Sequence, residues 1–493
     1  MSDSTKPLRL VVNKGADKPL IKGVYLVTDQ GDNLLARVRS ALRGGVSLLQ
    51  YRAKGGGKFR TLDDVIELKR LCKSFGVCFL INDDMNLARE VDADGVHLGQ
   101  DDGTIASARE MLGTDKIVGV STHTLEEALR AEKEGADYIG FGAIYPTASK
   151  KVEHIPGVNI LAAVCAATKI PVVAIGGVNA TNAATIIDAG ADAVATISAV
   201  LSAPRPEVAA MELNLLFNRK KPYPRGNVLA IAGSDSGGGA GIQADIKTIT
   251  LLGSYASSVL TALTAQNTRE VSAIHGLPPT FILEQLDSIL SDIPQDVIKT
   301  GMLHTPAIME ALAERLEENK ILHPVVVDPV MISKSGAHLM ERDAVSTFSD
   351  RILPLAYLLT PNLPEAERLL GRTLKNEREI EEGAREIHSM GAANVLIKGG
   401  HMTGKESVDI LFDGDDFHRF AADRIFTMNT HGTGCTYASA IAAFLSQGEP
   451  LFQAVEKGKQ FISAAIRHAR ATGKGHSPVN HFAAACLTGQ IKH

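Results

Sequence analysis

The chain has 493 residues, 45% hydrophobic and 22% charged, with a formal net charge of −5. That length exceeds one hydrophobic core and requires two or more domains, while the mild acidity excludes a global basic field for nucleic acid or an acidic membrane surface. No apolar run is long enough for a membrane span, and five scattered cysteines (Cys72, Cys78, Cys165, Cys435, Cys486) form no CxxC and no metal-binding spacing, as expected of reduced thiols in a cytoplasm.

Residues 1–22 mix Asp3, Lys6, Asp17 and Lys18 without an apolar stretch, and read as an N-terminal extension rather than a secretory signal. From 23 to 201, eight short β-branched runs alternate with helical segments. Strands are expected at Gly23–Asp29, Ser47–Arg52, Cys78–Asp83, Gly95–Gly99, Lys116–Ser121, Tyr138–Gly142, Pro171–Gly177 and Asp192–Ser198. The runs are continuously apolar, as parallel strands buried on both faces should be. Between them lie helices such as Thr61–Phe75 and Thr124–Glu134, the latter placing Leu125, Ala128, Leu129 and Ala131 on one face. Eight βα units in sequence predict a closed (β/α)8 TIM barrel, with an open doubly wound sheet as the alternative.

Polar residues collect where such a barrel does its chemistry, at the C-terminal ends of the strands. Strand 2 ends in Gln50-Tyr51-Arg52-Ala53-Lys54, strand 3 in Asn82-Asp83-Asp84, and strand 4 in His97 to Asp102. Strand 5 ends in Ser121-Thr122-His123, and strand 6 runs into Tyr145 to Lys151. Gly176-Gly177 and Ile197-Ser198 follow strands 7 and 8, where barrels bind phosphate through backbone N–H groups. Carboxylates with phosphate oxygens make a Mg2+ site, and Arg and Lys clamp the remaining charge. Singly, each residue has a plainer reading. Asp84 or Asp101 could be a helix N-cap, His97 a satisfied core histidine, and Lys151 a solvated neighbour of Lys150.

Together the stretches QYRAK, INDD, GVHLGQDD, GVSTHT, YIGFGAIYPTASK, AIGGV and TIS resemble thiamine-phosphate synthase across nearly all of residues 23–201. The resemblance implies that hydroxymethylpyrimidine diphosphate joins a thiazole phosphate and pyrophosphate leaves. It implies that Asp83 and Asp102 hold Mg2+, and that Gln50, Arg52, Lys54, Asn82, Ser121 and Lys150 hold the pyrimidine diphosphate. Thr147, Ser149, Gly177, Ile197 and Ser198 would hold phosphate of the thiazole or of the product. Two positions depart from the family pattern: Ala53 stands where an acidic residue is common, and Ser149 replaces a threonine but keeps the hydroxyl. The family's chemistry is dissociative, so it needs leaving-group charge to be neutralised and no strong base.

Ser202–Asn227 marks a boundary. Pro204, Pro206, Pro222 and Pro224 crowd its ends, and Arg219, Lys220, Lys221 and Arg225 make it solvent-loving. The expected organisation is a barrel over 23–218, a linker over 219–227 and a second domain over 228–493. Glu207–Asn218 would be the barrel's last helix, and the remaining linker a short, semi-rigid tether.

Val228–Ala232 opens the second domain as a strand, followed by a glycine-rich turn from Gly233 and a helix to Leu252. Ile242 stands where the third glycine of a dinucleotide fingerprint would fall, and the absence of GxxxxGK[ST] excludes a P-loop. Further strands are expected at Val297–Met302, Pro324–Pro329, Tyr357–Asn362 and Ala393–Gly400. A hairpin over Ser407–Asp413 and Asp416–Arg424 turns at Asp413-Gly414, giving an α/β domain with a mostly parallel sheet. The stretch from Asn429 to Thr436 opens an alanine-rich helix. Its free N–H groups suit an anion, and its start favours a thiolate at Cys435; a glycine-rich cap with a buried cysteine is the plain alternative. Asp328 and Glu365 lie just past strands, suited to Mg2+ carried with ATP, and Lys398 puts a cation past another.

The stretches GSDSGGGAGIQAD, LTAQNT, IKTGML, VVDPVM, LTPNLPEAE, LIKGGH and NTHGTGCT resemble hydroxymethylpyrimidine (phosphate) kinase of the ribokinase superfamily over about residues 228–482. The resemblance implies that Gln266 and Val330 line the pyrimidine pocket, with Gly233, Asp245 and Met302 near it. Asp328 and Glu365 would serve the Mg2+–ATP side, and Lys398 the ATP phosphates. Gly432, Thr433 and Gly434 would form the anion hole for the γ-phosphoryl group, with Cys435 as base. Ser236-Gly237 departs from the Pro-Ser common in the family. The two resemblances imply a bifunctional thiamine-biosynthesis transferase, cytoplasmic and homo-oligomeric. Mg2+ would be its cofactor, ATP its co-substrate, and its partners small molecules only. Two other readings stand beside it. A half reduced to a ligand-sensing scaffold would have lost Asp83, Asp102, Arg52, Lys150 or Cys435, and none is lost. A salvage kinase acting on pyridoxal would be separated by competing both substrates in one ATP assay.

Overall fold

The computed structural model describes residues 18–53, 61–147, 155–319, 322–332, 336, 339–340, 344–401 and 404–491. The chain divides into two compact units, with the division between Phe217 and Asn218.

In the first unit, β1 (Gly23–Val27), β2 (Val46–Tyr51), β3 (Cys78–Asn82), β4 (Gly95–Leu98), β5 (Ile117–Thr122), β6 (Tyr138–Gly142), β7 (Val172–Ile175) and β8 (Ala193–Thr196) close into a barrel in sequence order. Every neighbouring pair is parallel, including β1 with β8. That closing pair excludes the open sheet. Along β1, Val24 and Leu26 pack with the surrounding helices, while Tyr25 and Val27 join a second cluster with Leu48, Leu80, Tyr138 and Val173. Burial on both faces is why these strands read as unbroken apolar runs.

The helices start where the sequence supplies a cap. Thr61 accepts from Asp64 N and closes a capping box at the head of Leu62–Phe75, a cap that contributes about 1 kcal/mol. At the head of Leu125–Glu134, Thr124 accepts from Glu127 N. On that helix Ala128 and Ala131 are buried, but Leu125 and Leu129 are 36% and 43% exposed. The small alanines let the helix lie close on the barrel, which leaves the longer leucines at its margin, against expectation.

Helix Pro206–Leu215 runs into the 3-10 turn Leu216–Lys220. Asn218 Nδ2 then donates to Ser446 O at 2.8 Å, and Arg225 N donates to Gly253 O at 2.8 Å. Arg219 lies 3.7 Å from Glu449. All of these are contacts within the second unit, so the stretch expected as a tether is fastened to that unit.

The second unit is built on β9 (Asn227–Asp235), β10 (Tyr255–Gln266), β11 (Val271–Gly276), β12 (Val297–Thr300), β13 (Val325–Val327), β14 (Ala356–Leu359), β15 (Asn394–Ile397), β16 (Glu406–Phe412) and β17 (Phe417–Asp423). They form one sheet ordered β11-β10-β9-β12-β13-β14-β15-β16-β17. The sheet is parallel from β10 to β15, with antiparallel strands β11, β16 and β17 added at the edges. The β10–β11 hairpin was not expected. Ser257, Ser258, Thr261 and Thr264 dilute the apolar signal of a strand only a third of which is buried. The chain leaves β9 for β10 on one side and returns to β12 on the other. Such a switch of direction opens a crevice at the C-terminal ends of the strands, and the glycine-rich turn after β9 lies there. Among the described residues no helix is long and apolar enough to cross a membrane.

Candidate active sites

At the barrel mouth, Asp83 follows β3 with φ 63, and its N–H donates to His97 O at 2.8 Å. Its Oδ2 accepts from Asn82 Nδ2 at 2.6 Å. Asp102 lies past β4 and accepts from Gly99 N at 3.1 Å. Both carboxylates reach over Gly99: a Cβ built there would stand 2.4 Å from Asp102 Oδ2 and 4.0 Å from Asp83 Oδ1. Two carboxylates converging on one space, with oxygen donors only, fit a hard cation that takes few protein ligands. No group of three or more His, Cys, Asp or Glu is arranged to hold a metal among the described residues. Asp84 takes the plain role of a helix cap, accepting from Leu87 N at 2.9 Å, whereas the helix after Asp101 is capped by Thr104.

Gln50 and Ser121 are joined through the barrel interior. Gln50 Nε2 donates to Tyr25 OH at 2.8 Å, Tyr25 OH lies 2.8 Å from Tyr138 OH, and Tyr138 OH lies 2.8 Å from His97 Nδ1. His97 Nε2 completes the line, 2.9 Å from Ser121 Oγ. Burial pushes the His97 imidazole down to about 4, so it is neutral near pH 7. It is a satisfied core histidine, as its place on a strand suggested. Arg52 follows β2, its N–H donating to Thr28 Oγ1 at 2.9 Å. Near Thr147, a Cβ on Gly177 would fall 2.5 Å from Pro146 O, so the loops after β6 and β7 touch. Ile197 precedes the short helix Ser198–Leu201 at the end of β8. Lys54, Ser149 and Lys150 lie outside the described residues.

The crevice of the second unit is a cavity of about 370 Å³, within the range of small-molecule sites. Gly233, Gln266, Met302 and Val330 line it together with Asp328, Glu365, Lys398 and the turn Gly432 to Cys435. Asp328 Oδ1 accepts from Lys398 Nζ at 2.8 Å. Glu365 is fixed by its capping box, its Oε2 accepting from Asn362 N at 2.8 Å. Burial pushes the Glu365 carboxyl up to about 7 against the pull of Lys398. Gly432 must be glycine, because a Cβ there would stand 1.8 Å from Gly239 O. That contact brings the glycine-rich turn onto the head of helix Thr433–Ser446.

Two expectations need correction. Asp245 does not line the cavity. It is fully buried beneath it, where both its oxygens accept from Lys299 Nζ at 2.9 Å and Oδ1 accepts from Ser439 Oγ at 2.7 Å. Cys435 is not set up as a resting thiolate. Burial pushes its thiol up to about 12, Lys299 opposes this, and Asp245 and Asp328 add to it. The favourable helix start is outweighed by loss of water and two nearby carboxylates. Lys299, Asp235 and His431 emerge as unforeseen members. Burial works against the Lys299 charge, yet Asp245 holds its pKa above the usual value. The only sequence signal for Lys299 was a charge inside an apolar strand.

Fold and site together define a two-part transferase, a phosphate-handling barrel followed by a ribokinase-like kinase. The profile of the family described as thiamine monophosphate synthase matches residues 24–200, and that of phosphomethylpyrimidine kinase matches residues 235–480. The thiamine biosynthesis bifunctional protein ThiED of Geobacter sulfurreducens is 56% identical over 485 residues, covering 98% of this chain and 99% of that protein. The hydroxymethylpyrimidine/phosphomethylpyrimidine kinase of Escherichia coli is 46% identical over 259 residues, 52% of this chain and 97% of that protein. A crystal structure of phosphomethylpyrimidine kinase from Clostridium difficile 630 is 41% identical with a TM-score of 0.44, covering 49% of this chain and 99% of that one. The chain belongs to the family of thiamine biosynthesis bifunctional proteins, which join thiamine-phosphate synthase to hydroxymethylpyrimidine/phosphomethylpyrimidine kinase. The kinase relatives imply ATP as the co-substrate of that half.

Proposed function

We propose that residues 228–493 phosphorylate 4-amino-5-hydroxymethyl-2-methylpyrimidine and then its monophosphate, each time from ATP. Residues 23–218 would couple the resulting diphosphate to 4-methyl-5-(2-phosphoethyl)thiazole, giving thiamine phosphate and pyrophosphate, with 219–227 as the connection and 1–22 as an extension. The observation that carries the reading is the composition of the kinase cavity. Neutral and apolar Gly233, Gln266, Met302 and Val330 share it with Asp328, Glu365, Lys398 and the Gly432–Cys435 turn. A flat neutral ring and a polyphosphate need those two kinds of lining.

In the kinase half, Lys398 and the N–H groups of Gly432, Thr433 and Gly434 hold charge that develops on the transferred group. Cys435 takes the hydroxyl proton late and only in its thiolate form, the thiol having first released its own proton to solvent; a loose transition state tolerates so small a share of base because proton removal lags behind phosphoryl transfer. Asp245 acts from beneath, through Lys299 and Ser439. In the barrel half, Arg52, Lys54 and Lys150 neutralise the departing pyrophosphate, Asn82 orients it with them, and Gln50 and Ser121 face the pyrimidine. Thr147, Ser149, Gly177, Ile197 and Ser198 hold the thiazole phosphate. Mg2+, held by Asp83 and Asp102 in one half and by Asp328 and Glu365 in the other, would supply further neutralisation of phosphate charge. The reading carries a cytoplasmic location, where ATP is available, and a homo-oligomeric assembly that light scattering would test.

One tube decides the central claim. ATP, Mg2+, hydroxymethylpyrimidine and thiazole phosphate with the full chain should yield thiamine phosphate. Well-folded protein that forms none would overturn the proposal.

A further inference from the structure

Barrels of this kind are ordinarily filled by apolar side chains, yet this one carries an unbroken line of hydrogen bonds through its interior. Gln50 Nε2, Tyr25 OH, Tyr138 OH, the two ring nitrogens of His97 and Ser121 Oγ follow one another at 2.8, 2.8, 2.8 and 2.9 Å. Gln50, Tyr25, Tyr138 and His97 are buried, none more than 8% exposed. Neighbouring strands make room for the line. A Cβ on Gly119 would stand 2.1 Å from Tyr138 Cζ, and one on Gly140 would stand 3.0 Å from His97 Cε1. The His97 ring stacks on Tyr138 with centroids 5.5 Å apart.

Each interior member has one proton to give along the line. A tyrosine hydroxyl donates once, and a neutral imidazole has one N–H and one acceptor nitrogen. When Tyr25 OH accepts from Gln50, it gives its own hydrogen to Tyr138, and Tyr138 gives to His97 Nδ1. His97 then carries its proton on Nε2 and gives it to Ser121 Oγ. Ser121's own proton is left for the mouth, and so is the Gln50 carbonyl oxygen. Reversing one link reverses them all. The two ends therefore always differ, one an acceptor and the other a donor. Two donors or two acceptors would leave a hydrogen bond unmade in the core, which is costly.

We propose that Tyr25, Tyr138 and His97 form a positioning relay that ties the hydrogen-bond polarity of Ser121 to that of Gln50, so that the mouth selects a ligand edge with one donor beside one acceptor. The proposal rests on the reading that Gln50 and Ser121 face the pyrimidine. A 4-aminopyrimidine presents such an edge, its exocyclic N–H next to a ring nitrogen. The charged Arg52, Lys54 and Lys150 are left for the diphosphate.

The test compares coupling by the full chain of the aminopyrimidine diphosphate and its 4-methoxy analogue, whose edge offers two acceptors. Wild-type protein is expected to prefer the amino compound by about 100-fold in kcat/KM, and a preference under about threefold overturns the relay. Tyr138→Phe keeps the ring and cuts the line, so the preference should fall by about tenfold while KM for thiazole phosphate holds. If both pyrimidines slow alike and the ratio is unchanged, the hydroxyl only supports the fold and the proposal is wrong. His97→Gln, whose amide can accept from Tyr138 and donate to Ser121, should keep the preference; a loss matching that of Tyr138→Phe counts equally against the relay. Gln50→Ala and Ser121→Ala examine the underlying reading separately. If neither raises KM for the pyrimidine diphosphate, the pocket assignment itself fails, whatever Tyr138→Phe does.

Discussion

His431 Nε2 lies 2.8 Å from Asp235 Oδ2, and this contact joins the two loops that make the kinase crevice. Asp235 also accepts from the N–H groups of Gly237, Gly239 and Ala240 at 2.8, 3.1 and 2.8 Å. One buried carboxylate thus shapes the glycine-rich turn and holds the histidine that precedes the Gly432–Cys435 turn. Burial disfavours its charge, but the donors from His431 and the backbone outweigh this and keep it below the usual carboxylate range.

Asp235→Asn keeps the volume but replaces one accepting oxygen by a donor, so the turn and His431 lose their common anchor. The expected outcome is a fall of about 100-fold in kcat/KM for both phosphorylations, because small misplacements of a phosphoryl site are costly. Coupling of supplied pyrimidine diphosphate should be unchanged. ADP release followed alongside thiamine phosphate formation measures both, and a variant with wild-type ADP release would show that the Asp235–His431 contact is dispensable.

The Cys435 thiol, pushed up to about 12, is protonated at neutral pH. Iodoacetamide should therefore label Cys435 more slowly than an exposed free thiol, as read by mass spectrometry of the digested protein. Cys435→Ala should lower both phosphorylations by roughly 10²- to 10⁴-fold, the range for losing a general base, and spare the synthase. Normal turnover in that variant would remove Cys435 from proton transfer.

What the sequence made legible was whatever repeats or clusters locally. Eight apolar runs announced eight barrel strands, because burial on both faces leaves no room for polar alternation. The turn from Gly432 to Cys435 was legible because small residues at a helix head have few other uses. The relay was not, since Tyr25, Gln50, His97, Tyr138 and Ser121 sit on separate strands and meet only when the barrel closes. Nor was the inward burial of Asp245, whose partner Lys299 lies 54 positions away. The motif placed Asp245 near the pocket, but only packing shows that it supports the floor rather than lining it. Cys435 misled for a related reason. The helix head argues for a thiolate, while the opposing carboxylates come from distant strands and helices.

Asp83 and Asp102 bend over the same small space, and neither alone would hold a divalent cation against water. The double substitution Asp83→Ala with Asp102→Ala should abolish thiamine phosphate formation and leave ATP turnover on hydroxymethylpyrimidine intact. Each single variant should raise the Mg2+ concentration needed for half-maximal coupling by about tenfold or more, as loss of one charged ligand does. The measurement is a Mg2+ titration at fixed substrates. A titration curve that stays in place would deny these carboxylates any part in holding the metal.

His481 Nε2 lies 2.8 Å from Thr436 Oγ1, next to Cys435 in sequence, and both residues are buried. Burial first, and Lys247 second, push the His481 imidazole down from 6.5 to about 4. Above pH 6.5 the ring is neutral in folded and unfolded chains and stability does not depend on it. Between 6.5 and about 4 the unfolded chain binds a proton that the folded one refuses, so stability falls as pH falls. The full loss is on the order of 3 kcal/mol. Urea unfolding of the full chain, followed through loss of kinase activity, should therefore shift to lower urea between pH 7 and pH 5. His481→Gln can still bond Thr436 but cannot charge, so its midpoint should move less over the same interval. Equal shifts in the two proteins would place the acid sensitivity elsewhere in the kinase unit.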